Sequence, residues 1–247
     1  EPAPATPPEG GTLVVGTTFD IVSLDPADTQ DLTGFELVRN YSETPLDTTP
    51  GTTDIVPGFA EALPEISDDG KTYTFRIADG VKFGDGLELT APMYVKGLER
   101  VAKLKSPAAE TGYTPYVDSV EATDDRTVVI HLKDNFAFFS SVLTLPLYAA
   151  QHPDTFGAKL NRLPKAPIYG VGPWTVTERV PGEQIVLEPN PNFHGAKPHL
   201  DRVIVRVFAN AQTMGLALEN GDIDVAWRSL DTPQVEQLDG KDGFTVA

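Results

Sequence analysis

Residues 69–86, DGKTYTFRIADGVKFGDG, decide how this chain is read. The turn Ser67-Asp68-Asp69-Gly70 precedes Tyr73, Phe75 and Ile77, which alternate with polar partners in the period-2 pattern of a strand buried on one face. Asp68-Asp69-Gly70 lacks the alternating oxygen ligands and terminal Glu of a calcium loop, so it reads as a hairpin turn. Val128, Ile130 and Leu132 repeat the alternation after the turn Asp124-Asp125-Arg126. Between these strands Tyr94, Leu98 and Val101 fall at i, i+4 and i+7. That spacing predicts a helix capped by Thr90, with Pro92 tolerated in its first turn, which covers the sheet. Residues 54–164 are therefore expected to form an antiparallel, β-rich subdomain.

Outward from this centre the pattern changes. Upstream, Thr12 to Gly16 reads as a strand, Thr17 to Asp20 as a loop, Ser23-Leu24-Asp25-Pro26 as a turn, and Phe35 to Tyr41 as helical. Downstream, the Gly/Pro-rich passage Pro164 to Pro173 marks a boundary. Beyond it come strands at Ile185 to Glu188 and Val203 to Phe208, a helix over Ala211 to Asn220 ended by Gly221, and a short strand, Ile223 to Trp227. A helix crossing between two strands predicts a parallel βαβ unit. A last helix is expected with Thr232 as cap and Pro233 at its first position. The expected fold class is α/β (mixed α+β). Residues 12–53 and 165–240 form its α/β part, 54–164 an inserted antiparallel subdomain, and 1–11 a Pro-rich spacer.

Composition narrows the function. With 247 residues, 40% of them hydrophobic, the chain has enough apolar material for a substantial core. A net charge of −17 opposes binding to phosphate backbones and anionic lipid. The longest near-apolar run, Val142 to Ala150, is interrupted by Thr144 and Pro146 and is too short to span a bilayer. The absence of cysteine removes disulfides, thiolate metal sites and cysteine nucleophiles together. The opening EPAPATPPEGG lacks an initiator Met, which fits either a cleaved export signal or a trimmed chain.

Catalytic chemistry finds no constellation. His131, His152, His194 and His199 read as solvated loop histidines, and the spacing of His194 and His199 does not suit a helical metal pair, so no metal or cofactor is expected. No nucleophile elbow, phosphate loop or dinucleotide glycine pattern occurs. Thirteen of the 36 acidic residues sit beside Gly or Pro, as turn residues do, no pair of them declares a catalytic dyad, and no enzyme activity is expected.

The order of the segments nevertheless resembles a known family. GGTLVVGTTFDIVSLDP (10–26), IVPGFAEALPEISDDGKTYTFRIADGVKFGDGLELTA (55–91), YGVGPWTVTERVPGEQIVLEPNPNFHG (169–195) and ALENGDIDVAW (217–227) resemble the extracellular solute-binding proteins of the peptide/nickel class that feed ABC importers. The resemblance departs in detail: Gly170-Val171-Gly172-Pro173-Trp174 stands where the family usually has Gly-Thr-Gly-Pro followed by Tyr or Phe. It implies a first lobe of the type II periplasmic-binding-protein kind, with residues 241–247 starting the crossing to a second lobe that is missing.

The resemblance also implies where ligand is met. Thr18, Phe19, Asp20, Ile21 and Val22 match the loop whose backbone meets an extended peptide, with Asp20 available to a ligand ammonium; the alternative is that Ile21 and Val22 are core and Asp20 a solvated turn residue. Tyr169, Gly170, Val171 and Gly172 form a second candidate wall, or serve chain geometry alone. Trp227 and Arg228 are the third candidate: Arg228 for a ligand carboxylate and Trp227 for an apolar side chain, against a packed Trp and a surface Arg. The implied partners are a peptide or other small polar ligand and an ABC transporter permease, and the implied location is extracellular or periplasmic with a lipid tether. A polysaccharide-acting hydrolase and a free-standing protein-interaction domain remain the alternatives.

Overall fold

The computed structural model of the chain describes residues 9–246, so most of the expected spacer (1–11) and Ala247 lie outside the described residues. Glu9, Gly10 and Gly11 are tied down rather than unpacked. Gly10 N donates to the His199 carbonyl at 2.7 Å, and Gly11 N donates to Asp201 Oδ2 at 3.0 Å. Two compact units divide the chain. Among the described residues, unit 1 comprises 9–20, 176–189 and 198–246, and unit 2 comprises 21–175 and 190–197. Residues 21–53, expected with the α/β part, thus group with the antiparallel sheet.

Unit 1 is built on a five-stranded sheet in the order β11-β1-β10-β9-β8. β1 (Thr12–Thr17) lies parallel to β10 (Arg202–Val207) in the register Thr12↔Arg202 to Thr17↔Val207. On its other side β1 lies parallel to β11 (Val225–Ala226), which is shorter than the strand expected over Ile223 to Trp227. Backbone bonds from Asp224 N to Val14 O and from Trp227 N to Gly16 O, both 2.8 Å, flank it. Helix α5 (Ala211–Glu219) carries the chain from β10 to β11, so the predicted βαβ unit is present with β1 between its strands. Gly16 is where α5 meets the sheet: a Cβ there would lie 2.6 Å from Ile223 Cδ1 and 3.1 Å from the Met214 side chain. β9 (Gln184–Pro189) runs antiparallel to β10, and β8 (Trp174–Val180) closes that edge. Helix α6 (Thr232–Leu238) corrects the expected cap by one residue. Asp231, not Thr232, is the N-cap, because its carboxylate reaches Gln234 N while the Gln234 side chain returns to Asp231 N, a capping box.

Unit 2 holds a four-stranded antiparallel sheet in the order β4-β5-β7-β6. Its central pair, β5 (Thr72–Arg76) and β7 (Thr127–Leu132), runs in the register Tyr73↔Ile130 and Phe75↔Val128, which puts the alternating apolar residues on one buried face. β4 (Glu65–Ile66) and β6 (Val117–Ala122) are the edges. Strands β2 (Leu46–Thr48) and β3 (Ile55–Pro57) form a separate antiparallel pair.

Helix α1 (Leu32–Tyr41) starts where Asp31 accepts from Gly34 N. Helix α2 (Ala91–Leu104) packs its buried Tyr94, Leu98 and Val101 into the same core, with Tyr94 edge-on to Phe59 at 5.1 Å. Burying each of those side chains contributes roughly 1.5–3 kcal/mol. Thr90 occupies the N-cap of α2 as expected, but its side chain makes no capping bond, and Ala91 N donates instead to the Asp125 carbonyl. The short helices α3 (Pro107–Gly112) and α4 (Phe139–Val142) complete the unit.

Candidate ligand-binding site

In unit 1 the loop after β1 and the segment after β11 emerge at the same end of adjacent parallel strands. Thr17 O accepts from Phe208 N at 2.8 Å and Thr17 Oγ1 accepts from Phe19 N at 3.2 Å, which sets the start of the loop Thr18-Phe19-Asp20. One strand over, the bond from Trp227 N to Gly16 O holds Trp227 level with that start. The Arg228 guanidinium lies 4.8 Å from the Trp227 ring centroid. Arg228 and Ser229 both have left-handed backbone, with φ of 62° and 66°. For non-glycine residues that conformation costs roughly 1–2 kcal/mol each. Phe19 is 40% exposed. Aromatic, acidic and guanidinium groups thus gather at the carboxyl ends of parallel strands, the usual position for ligands on open α/β sheets.

Phe208 belongs to the same strand ends and was not singled out in the sequence. Its backbone continues the β1–β10 pairing, and the Arg206 guanidinium lies 5.8 Å from its ring centroid. The signal that could have found it is its place as the last residue of the mostly apolar run Val203 to Phe208, an aromatic at the carboxyl end of a strand.

Unit 2 carries the remaining candidates. Ile21 is half-buried, but Val22 is 55% exposed, so the core alternative fails for Val22. Gly170, Val171 and Gly172 are buried against the end of α1. A Cβ on Gly170 would sit 2.1 Å from the Tyr41 carbonyl oxygen, and one on Gly172 would sit 2.8 Å from Asn40 O. Gly172 N also donates to Tyr41 O, while Gly170 O accepts from Gly84 N. Close backbone approach therefore accounts for both glycines, and Tyr169, half-buried and 5.9 Å from the His152 ring, is the residue of that passage that keeps side-chain surface.

Two histidines differ from the solvated reading. His152 is 3% exposed, stands edge-on to Phe83, and shares a 3.0 Å contact with Asp85 through Nε2. His194 pairs with Glu43 at 2.6 Å, and that hydrogen bond raises its pKa above the ordinary histidine value against the opposing effect of burial. The turn residue Asp25 is wholly buried, ion-paired to Arg100. Among the described residues no group of three or more His, Asp or Glu is arranged to hold a metal ion.

The model of the bacterial extracellular solute-binding proteins, family 5 (middle), matches residues 54–247, and the chain belongs to that family. The chain is 31% identical over 241 residues to the "Probable D,D-dipeptide-binding periplasmic protein DdpA" of Escherichia coli K12, covering 92% of this chain and 44% of that protein. It is 30% identical over 176 residues to the nickel-binding periplasmic protein of the same organism, covering 70% and 32%. Among solved structures, the periplasmic binding protein DppA of Helicobacter pylori, in complex with the peptide STSA, superposes with a TM-score of 0.81 at 26% identity, covering 95% of this chain and 50% of that one. The murein tripeptide binding protein MppA of Escherichia coli shares the fold, with a TM-score of 0.84 at 23% identity over 95% of this chain and 49% of that one.

The chain therefore spans about half the length or less of these relatives. The mixed α/β architecture is that of type II periplasmic binding proteins. Relatives in the family are periplasmic, and among the described residues no helix is long and apolar enough to cross a membrane. Family membership leaves the hydrolase and interaction-domain alternatives without support.

Proposed function

We propose that this chain forms the first lobe of a solute-binding protein that captures a peptide-like or small polar ligand outside the cytoplasm and delivers it to an ABC transporter permease, held near the membrane by a lipid tether and catalysing no reaction. The observation that carries this reading is the side-by-side placement of Thr18-Phe19-Asp20 and Trp227-Arg228 at the ends of β1 and β11, fixed by the Trp227 N to Gly16 O bond. A peptide backbone running along the Thr18–Asp20 loop would pair with it in strand fashion. Asp20 would meet the ammonium end, Arg228 would take a carboxylate bidentately, and Trp227 and Phe19 would cover apolar side chains. In unit 2 the residues proposed for ligand contact are Ile21, Val22 and Tyr169, with Gly170, Val171 and Gly172 supporting Tyr169.

Trp227 and Trp174 are the chain's two tryptophans, so Trp227 reports its own surroundings once Trp174→Phe removes the other. In that background, free Ser-Thr-Ser-Ala is expected to change Trp227 fluorescence saturably. The same peptide acetylated and amidated is expected to bind at least about tenfold more weakly, a loss of ~1.4 kcal/mol for the missing charges. Equal response to the free and blocked peptides, or response to neither, overturns the assignment.

A further inference from the structure

Within unit 2 an apolar surface surrounds Ser23, next to Val22 of the loop proposed for ligand contact. The Ser23 carbonyl accepts from Thr29 Oγ1 at 3.2 Å and lies so close to Gly34 that a Cβ there would collide with it, which seats residues 22–24 on the first turn of α1. One residue further, Leu24 N donates to the Arg162 carbonyl at 2.6 Å, so the 162–163 segment reaches the same place.

Three aliphatic side chains flank this junction. Val22 precedes Ser23, Leu32 lies two residues before Gly34, and Leu163 follows Arg162. Leu32 is 48% exposed and Leu163 39%. Phe35, half-buried, follows Leu32 by three positions and shares its side of α1. Helix α1 thus carries apolar residues on two sides: Leu37, Val38 and Tyr41 are buried in the unit, and Leu32 and Phe35 lie on the opposite side. Outward helix positions are ordinarily polar, so an apolar pair there, beside Val22 and Leu163, makes a surface suited to being covered. The charged neighbours are engaged: Asp31 accepts from Gly34 N at 2.7 Å, and Asp28 pairs with Arg162 at 2.6 Å. What this surface offers a ligand is hydrocarbon contact.

We infer that Val22, Leu32, Phe35 and Leu163 form a subsite for an uncharged apolar side chain, so that the substrate class is peptides with large apolar residues near their amino end. The subsite rests on the transport reading, since Val22 belongs to the loop proposed for ligand contact and Asp20, proposed for the ammonium end, precedes it by two residues. A strand advances about 3.3 Å per residue, so the side chains that reach Val22 belong to the second and third residues of the peptide.

Ser-Leu-Leu-Ala is the probe, compared with Ser-Thr-Ser-Ala by NMR of the chain labelled at its Leu and Val methyl groups. Saturable shifts of the Val22, Leu32 and Leu163 methyls are expected with Ser-Leu-Leu-Ala, at an affinity at least about tenfold above that of Ser-Thr-Ser-Ala. Leu32→Gln is expected to bring that ratio close to one, while Leu63→Gln, at a comparably exposed leucine outside the subsite, leaves it at about tenfold. Should Leu32→Gln disturb the fold, the methyl shifts of the unaltered chain decide. Equal affinity for the two peptides, shifts confined to other methyls, or a preference that survives Leu32→Gln overturns the subsite and leaves the transport reading standing. Binding of neither peptide overturns both.

Discussion

Arg100 and Asp25 form a two-point ion pair inside unit 2: Nη1 lies 2.9 Å from Oδ1 and Nη2 lies 2.5 Å from Oδ2, with both side chains 7% exposed or less. Asp25 also accepts from Ala27 N and Asn161 N, so one carboxylate joins the Ser23–Asp28 turn, helix α2 and the 157–161 segment. Replacing Arg100 by Met would leave that carboxylate buried without its cation. Breaking a buried pair in this way costs about 3–5 kcal/mol, and urea denaturation of Arg100→Met should show a loss of that size. A loss under 1 kcal/mol would mean that the backbone N–H groups alone satisfy Asp25.

His194 and Glu43 give stability a pH dependence whose sign is fixed. Hydrogen bonding to Glu43 raises the folded-state pKa of His194 above its unfolded value of about 6.5. The stabilisation is therefore complete below about pH 6.5 and is lost as pH rises through the folded pKa. Wild type minus His194→Gln, compared by denaturation across that range, should shrink with rising pH. A difference that grows with pH would contradict the pairing.

Gly170 and Gly157 separate required from incidental glycine. The 2.1 Å approach of a Gly170 Cβ to Tyr41 O meets backbone, which cannot swing aside, whereas nothing lies within 4 Å of a Gly157 Cβ. Gly170→Ala should cost about 3 kcal/mol, the upper part of the range for overpacking, and Gly157→Ala close to nothing, both measured as shifts in denaturation midpoint. Similar losses in the two would show that the 170 passage yields.

The sequence made some of this legible and hid the rest for physical reasons. Tyr73 and Phe75 announce β5 because one wet face forces period 2, with Ile77 carrying the alternation one residue past its end, and Tyr94, Leu98 and Val101 announce α2 because one buried stripe forces period 3.6. The β10–α5–β11 crossing could be read from element order, since parallel neighbours need a crossover. Asp25 looked like any turn aspartate beside proline, because the partner that buries it is 75 residues away. Nor did Arg100 stand out, because it falls off the Tyr94, Leu98, Val101 stripe of α2, where an arginine reads as solvent-facing, and the segments that bury it are distant in sequence. In the candidate site the strand-end positions of Thr18–Asp20 and Trp227 were legible. The glycines at 170 and 172 were ambiguous because only the path of the α1 backbone reveals what they approach.

Asp231 and Thr232 make the cap of α6 testable. Asp231 accepts from Gln234 N at 2.9 Å, and Gln234 Oε1 accepts from Asp231 N at 3.1 Å. Asp231→Ala should cost about 1 kcal/mol and Thr232→Ala much less. The reverse order would restore Thr232 as the cap.

Arg228 combines a strained backbone with a side chain proposed for ligand contact, and two substitutions separate these properties. At φ of 62° alanine keeps the strain that arginine bears, while glycine removes it. Arg228→Gly should therefore be more stable than Arg228→Ala by roughly 1 kcal/mol in chemical denaturation. Both lack the guanidinium, so both should weaken Ser-Thr-Ser-Ala alike, by about tenfold, since a charge-assisted pair contributes roughly 1.5–3 kcal/mol when well formed. If Arg228→Ala binds as wild type does, the side chain plays no part in recognition. If the glycine variant alone loses affinity, what the ligand needs is the rigid left-handed turn that holds Trp227, and the carboxylate pairing has to be reassigned to another cation of unit 1, of which Arg206, beside Phe208, is the first to test.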